Sequence, residues 1–134
     1  LAPVGLYLPG QQTGNLVFIS GQGCIEDGVH LTGRAGADVT VEEAARRVEI
    51  CMKNTLAALE GYLGTLERVI MPVKILAFVA GTDDFTQQAV VVNGASQLLV
   101  DVFGDAGRHA RSAIGTNGLP LGLTVEIESF FEVE

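Results

Sequence analysis

Apolar positions along this chain recur in two rhythms, every second residue in some runs and every third or fourth in others. Leu16 to Ser20 is apolar and rich in strand formers, and Gly21-Gln22-Gly23 closes it, so it reads as a strand. Val4 to Leu8 alternates more weakly and is predicted as a first strand. Pro9-Gly10 and Thr13-Gly14 then mark a hairpin connection. Residues 24–39 scatter Gly, Asp and Thr and read as a loop with one short extended piece. Thr40-Val41-Glu42-Glu43 has the spacing of a capping box, in which Thr40 accepts from the Glu43 amide and Glu43 reaches back. Ala44, Ala45, Val48, Cys51, Met52, Leu56, Leu59 and Leu63 then form one stripe of a long helix ending near Gly64.

A β-rich run from Ile70 to Val79 predicts a central strand, with Pro72 among its first residues. Gly81 to Asp84 reads as a turn with Asp84 as candidate N-cap. Val92, Ala95, Leu98, Leu99, Val102 and Phe103 predict a second helix over residues 89–103, stopped by Gly104, with Asn93-Gly94 leaving one side free of bulk. Residues 108–115 read as another strand, and Leu119-Pro120 between Gly118 and Gly122 as a turn. In the last strand Val125, Ile127 and Val133 share one face with Ser129 and Phe131, while Glu126 and Glu128 lie on the other.

The order β-β-α-β-α-β-β predicts an α+β fold, two helices on one face of a mixed β-sheet, in a single domain over residues 1–134. The chain opens on Leu1 rather than Met, so any residues preceding it lie outside this reading. Charge narrows the function. With 16 acidic against 8 basic residues the net charge is -8, and no basic run exceeds Arg46-Arg47, which disfavours a nucleic-acid partner. No apolar run reaches membrane-spanning length. Cys24 and Cys51 have no metal-ligand spacing; Cys51 on the helical stripe reads as a buried free thiol, suited to a reducing, cytoplasmic compartment. No cofactor fingerprint or metal cluster is present in the sequence. His30 reads as a solvated loop histidine. A serine nucleophile would need His30 or His109 as its base, and no nucleophile-elbow motif occurs.

What remains is Arg111, set among Ala113, Gly115 and Gly118. If its strand and the last strand are neighbours, Arg111 can approach Glu126. A guanidinium in a small-residue cleft suits a carboxylate held by two parallel bonds. An ordinary cross-strand ion pair on a solvated face is the plainer reading of the same spacing.

Ala110-Arg111-Ser112, a Leu119-Pro120 eight residues after the arginine, and Val125-Glu126-Ile127-Glu128 together resemble the signature of the YjgF/RidA family. That family also goes by endoribonuclease L-PSP and by reactive intermediate/imine deaminase. Gly14 to Gln22, ending in Ser-Gly-Gln, is similar to its early strand, and Val73 to Val79 with Asp84-Phe85 to its central strand and turn. The resemblance runs in order along nearly the whole chain. It implies a chorismate mutase-like fold, a homotrimer and pockets at the subunit boundaries. It implies that Arg111 clamps a substrate carboxylate and that Glu126 orients water or a substrate nitrogen. Tyr7 would form the pocket wall, the Gly21 backbone would face the ligand, and Asn93 would join from the second helix. The implied reaction turns reactive 2-imino or enamino acids into 2-oxo acids and ammonia, with no cofactor. The chain departs from the pattern twice: Ala113 stands where many deaminases carry cysteine, and Gly107-Arg108-His109 replaces the usual Phe-Pro. These mark a less characterised branch. They leave open a 2-oxo acid binding protein without turnover, an endoribonuclease or translation inhibitor, and a structural trimer joined by an Arg111–Glu126 ion pair. The acidity weighs against the nuclease.

Overall fold

The computed structural model describes residues 5–134. Strands β1 (Gly10–Thr13) and β2 (Leu16–Gly23) are followed by a hairpin of β3 (Ile25–Glu26) and β4 (Val29–His30). Then come α1 (Val41–Leu63), β5 (Val69–Ala80), α2 (Gln88–Phe103), β6 (Ala110–Thr116) and β7 (Val125–Val133). The main sheet runs β1-β2-β7-β5-β6. All its pairs are antiparallel except β5 with β6, which are parallel and joined through α2, as a parallel pair requires. This is the α+β fold expected from the sequence.

The sheet has one covered face. Val125, Ile127, Ser129, Phe131 and Val133 of β7 are all buried there, with Ile75, Ala77 and Val79 of β5. Against them pack Val48, Cys51, Met52 and Leu59 of α1 and Val92, Ala95 and Leu99 of α2. The opposite face is uncovered, and Phe18 and Ile114 stand exposed on it. The helices meet at Gly94, where an added Cβ would run into the Ala45 carbonyl of α1. Gly94→Ala should therefore force the helices apart, costing about 1–3 kcal/mol by overpacking and lowering the calorimetric melting temperature by several degrees.

Several local expectations are corrected. The first strand is Gly10–Thr13, not residues 4–8. Val4 lies outside the described residues, and residues 5–7 form a bend. Alternation missed β1 because it is an edge strand of polar glutamines. Asp27 and Gly28, at φ 51° and 80°, fold part of the 24–39 loop into a hairpin, where one short extended piece was expected. The Thr40 hydroxyl does accept from the Glu43 amide, at 3.1 Å. Glu43 does not reach back, however; Arg46 and Arg47 hold its carboxylate at 2.9 and 2.7 Å. Asp84 does not cap α2, since its carboxylate accepts from the Thr82 hydroxyl at 2.7 Å and the helix begins after Gln87.

Cys51 is fully buried, as its place on the α1 stripe predicts, and so is Cys24 beside it. Burial, reinforced by the neighbouring Cys24, pushes the Cys51 thiol well up from its ordinary value. A polar thiol reagent should not label Cys51 until the protein unfolds; rapid labelling of Cys51 in the native protein would mean that α1 is turned the wrong way. No helix among the described residues is long and apolar enough to cross a membrane.

Candidate anion site at the edge of the sheet

Across the covered face, Ile19, Ser129, Ile75 and Arg111 occupy one row of the sheet. The first three are buried. Arg111 belongs to β6, the edge strand, so its long side chain reaches past the sheet to α2. Its Nη1 donates to Ser96 Oγ at 3.1 Å, and its Nη2 donates to the Ala89 carbonyl at 3.0 Å. Ala89, Asn93 and Ser96 follow one another at four and three residues along α2, so they form one stripe of the helix. Asn93 thus lies between the two groups that hold the guanidinium, with its own side chain exposed.

Arg111 is half-buried, yet no carboxylate of the described residues pairs with it. The ion pairs among those residues involve Arg46, Arg47 and Lys53 instead. A guanidinium offers five N–H donors; two are engaged within the chain, leaving three, enough for a bidentate carboxylate.

Behind Arg111 lies a contact that spacing does not reveal. Ser96 Oγ is 2.9 Å from His109 Nε2, and His109 Nδ1 is 2.7 Å from the Gly107 carbonyl oxygen. A carbonyl can only accept, so Nδ1 carries a proton, and in the neutral ring Nε2 accepts from the Ser96 hydroxyl. Ser96 lies inside a helix, 13 residues before His109, and only the packing of α2 on β6 brings them together.

Glu126 lies elsewhere. β5 separates β6 from β7, so the strands of Arg111 and Glu126 are not neighbours. Glu126 shares a row with Gly23, Phe78 and Ile114, which is the uncovered face. Arg111 and Glu126 therefore stand on opposite faces of the sheet and cannot pair within one chain. Gly21 leaves room for the glutamate: a Cβ there would come within 3.1 Å of the Glu126 carboxyl carbon. On the same face Tyr7, Leu8, Phe18, Glu128 and Phe130 line a shallow hollow of about 360 Å³. The phenyl rings of Phe18 and Phe130 lie 4.9 Å apart. The expected site residues thus fall into two groups, Arg111 and Asn93 at the helix-side edge and Glu126 beside Gly21 on the open face, with Tyr7 in the hollow that Glu128 lines.

Loss of solvation, with the nearby charge of Glu128 second, raises the Glu126 carboxyl above its ordinary range. A carboxyl raised in the folded state disfavours folding when ionised, so its penalty is absent below the unfolded value and fully present above the folded one. Glu126→Gln should then raise the melting temperature at pH 7, and the gain should fade as pH falls into the carboxylate range. A gain that persisted at pH 3 would point to packing rather than charge.

The sequence profile of the family described as endoribonuclease L-PSP matches residues 1–133. Protein TCP17 of Trypanosoma cruzi is 38% identical over 134 residues, covering 98% of this chain and 84% of that protein. A protein of unknown function from Agrobacterium tumefaciens is 41% identical, with a TM-score of 0.93 over 96% of this chain and 82% of that one. A putative endoribonuclease from Shewanella oneidensis is 28% identical, with a TM-score of 0.96 over 99% of this chain and 89% of that one. The YjgF gene product of E. coli is 26% identical, with a TM-score of 0.66 over 98% and 91%. With fold, length and sequence profile in agreement, the chain belongs to the endoribonuclease L-PSP family, the YjgF/RidA group.

Proposed function

We propose that this protein captures a small carboxylate-bearing metabolite on Arg111 and hydrolyses reactive 2-imino acids to 2-oxo acids and ammonia. The observation that carries this reading is the half-buried guanidinium, tethered to α2 by two hydrogen bonds yet lacking any carboxylate partner among the described residues. A cation placed so is costly unless an anion completes it.

The two groups of expected site residues call for a second copy of the chain. In a homotrimer whose open sheet faces turn inward, the uncovered face of one copy would lie beside the edge strand β6 of the next. Glu126, Gly21 and Tyr7 of one copy would then complete the pocket begun by Arg111 and Asn93 of its neighbour. The exposed Phe18 and Ile114 favour such burial. Arg111 would fix the substrate carboxylate and so place the C=N carbon beside a water. Glu126, its carboxyl raised by partial burial, is suited to take a proton from that water as the C–O bond forms. Glu126 would return that proton to the nitrogen, and the carbinolamine would collapse to the 2-oxo acid as the C–N bond breaks and ammonia leaves.

An endoribonuclease, the description some relatives carry, finds less support. The net charge is -8, and Arg46, Arg47 and Lys53 are committed to carboxylates. Light scattering should give a trimer at micromolar concentration, and pyruvate or 2-oxobutyrate should raise the melting temperature in a concentration-dependent way. A monomer would remove the shared pocket, and a protein indifferent to every 2-oxo acid would remove the clamp.

A further inference from the structure

We infer that Ser96 and His109 are a positioning pair for Arg111, holding its guanidinium in the orientation that receives the ligand carboxylate; this rests on the reading of Arg111 as an anion-binding group. Three features of the chain carry the inference.

The first is a hydroxyl used against local habit. Serine and threonine inside helices commonly donate back to the carbonyl one turn earlier. Thr55 in α1 does so, to the Cys51 carbonyl at 2.9 Å. Ser96 in α2 instead gives its proton to His109 and its lone pair to Arg111.

The second is the direction these bonds take around a neutral imidazole. Were the proton on Nε2, the Nδ1 lone pair would face the Gly107 carbonyl oxygen at 2.7 Å, acceptor against acceptor. In the neutral imidazole with Nδ1 protonated, Nε2 accepts, the Ser96 hydroxyl donates to it, and the serine oxygen is left turned to the guanidinium. His109 thus acts on Arg111 through Ser96.

The third is that the frame is closed. Gly107 is buried, and a Cβ there would collide with the backbone of Leu99 in α2. The chain from Leu99 through Gly107 and His109 returns to the same helix at Ser96. This fixes the imidazole at both nitrogens and leaves it little freedom to turn. A guanidinium held in one plane presents its remaining donors as a fork, and less orientational freedom is lost when a planar carboxylate docks.

Arginine side-chain nitrogen NMR on the ligand-free protein tests this. In wild type, rotation of the Arg111 guanidinium should be slow enough to separate its Nη signals, and His109 should show the Nδ1–H tautomer. Ser96→Ala and His109→Phe should both speed that rotation and weaken 2-oxobutyrate binding about tenfold. Ser96→Thr, which keeps the hydroxyl, should restore both. The inference is overturned if Ser96→Ala leaves the rotation unchanged, if Ser96→Thr rotates as freely as Ser96→Ala, or if His109 carries its proton on Nε2. If wild type binds no 2-oxo acid at all, the anion-site reading fails, while the ligand-free measurement still decides whether the pair positions Arg111.

Discussion

Arg111→Ala is expected to leave a folded protein that no 2-oxo acid protects against heat. In wild type, a ligand at one hundred times its dissociation constant should add about 2.7 kcal/mol of apparent stability by mass action. In the variant that increment should vanish. Some stability will be lost as well, because Arg111 ties β6 to α2 through Ser96 and Ala89. The two effects separate cleanly: lost stability lowers the melting temperature without ligand, whereas a lost clamp flattens its response to ligand. Arg111→Lys retains the charge but not the fork, so binding should weaken without disappearing. Should Arg111→Ala be destabilised yet respond to 2-oxo acids as wild type does, the guanidinium is only a structural tie.

Glu126→Gln should act on the other half of the proposed shared pocket. Amide and carboxylate are nearly isosteric, and Gly21 leaves the same room for either. Carboxylate binding should survive, because Arg111 is untouched. Turnover should fall about a hundredfold to ten-thousandfold, the usual worth of a positioned proton acceptor. Since the same substitution should stabilise the fold at neutral pH, a slow and more stable variant is the signature of a group held for chemistry. Mixing Arg111→Ala chains with Glu126→Gln chains offers a sharper check. If the pocket is shared between copies, mixed trimers should regain activity that neither variant has alone, because some interfaces pair an intact Arg111 with an intact Glu126.

Much of the fold was legible because burial and periodicity coincide. The α1 stripe and the β7 alternation each face the core as their spacing predicts, and Gly64 and Gly104 end the helices where expected. What escaped were features set by partners rather than by local pattern. β1 escaped because an edge strand of glutamines needs no apolar alternation, and the Asp84 cap failed because Thr82 offered that carboxylate a nearer donor. The site was legible in its residue types but not in its arrangement. Arg111 and Glu126 were singled out together, yet strand order cannot be read from strand sequence: β5 lies between β6 and β7, and the register of the pairings puts the two side chains on opposite faces. Ser96 gave no signal, and His109 stood out only as a possible base and as a departure from the family pattern. A serine in a helix and a histidine before a strand become neighbours only once α2 crosses over the parallel pair β5–β6.

Release of 2-oxo acid from a 2-imino acid generated in situ, followed with wild type and with Arg111→Ala at equal concentration, tests the central claim most directly. Wild type should speed hydrolysis well above the spontaneous rate, and Arg111→Ala should fall back to that rate. Equal rates for both proteins, whether both fast or both spontaneous, would contradict imine hydrolysis at an Arg111-centred site.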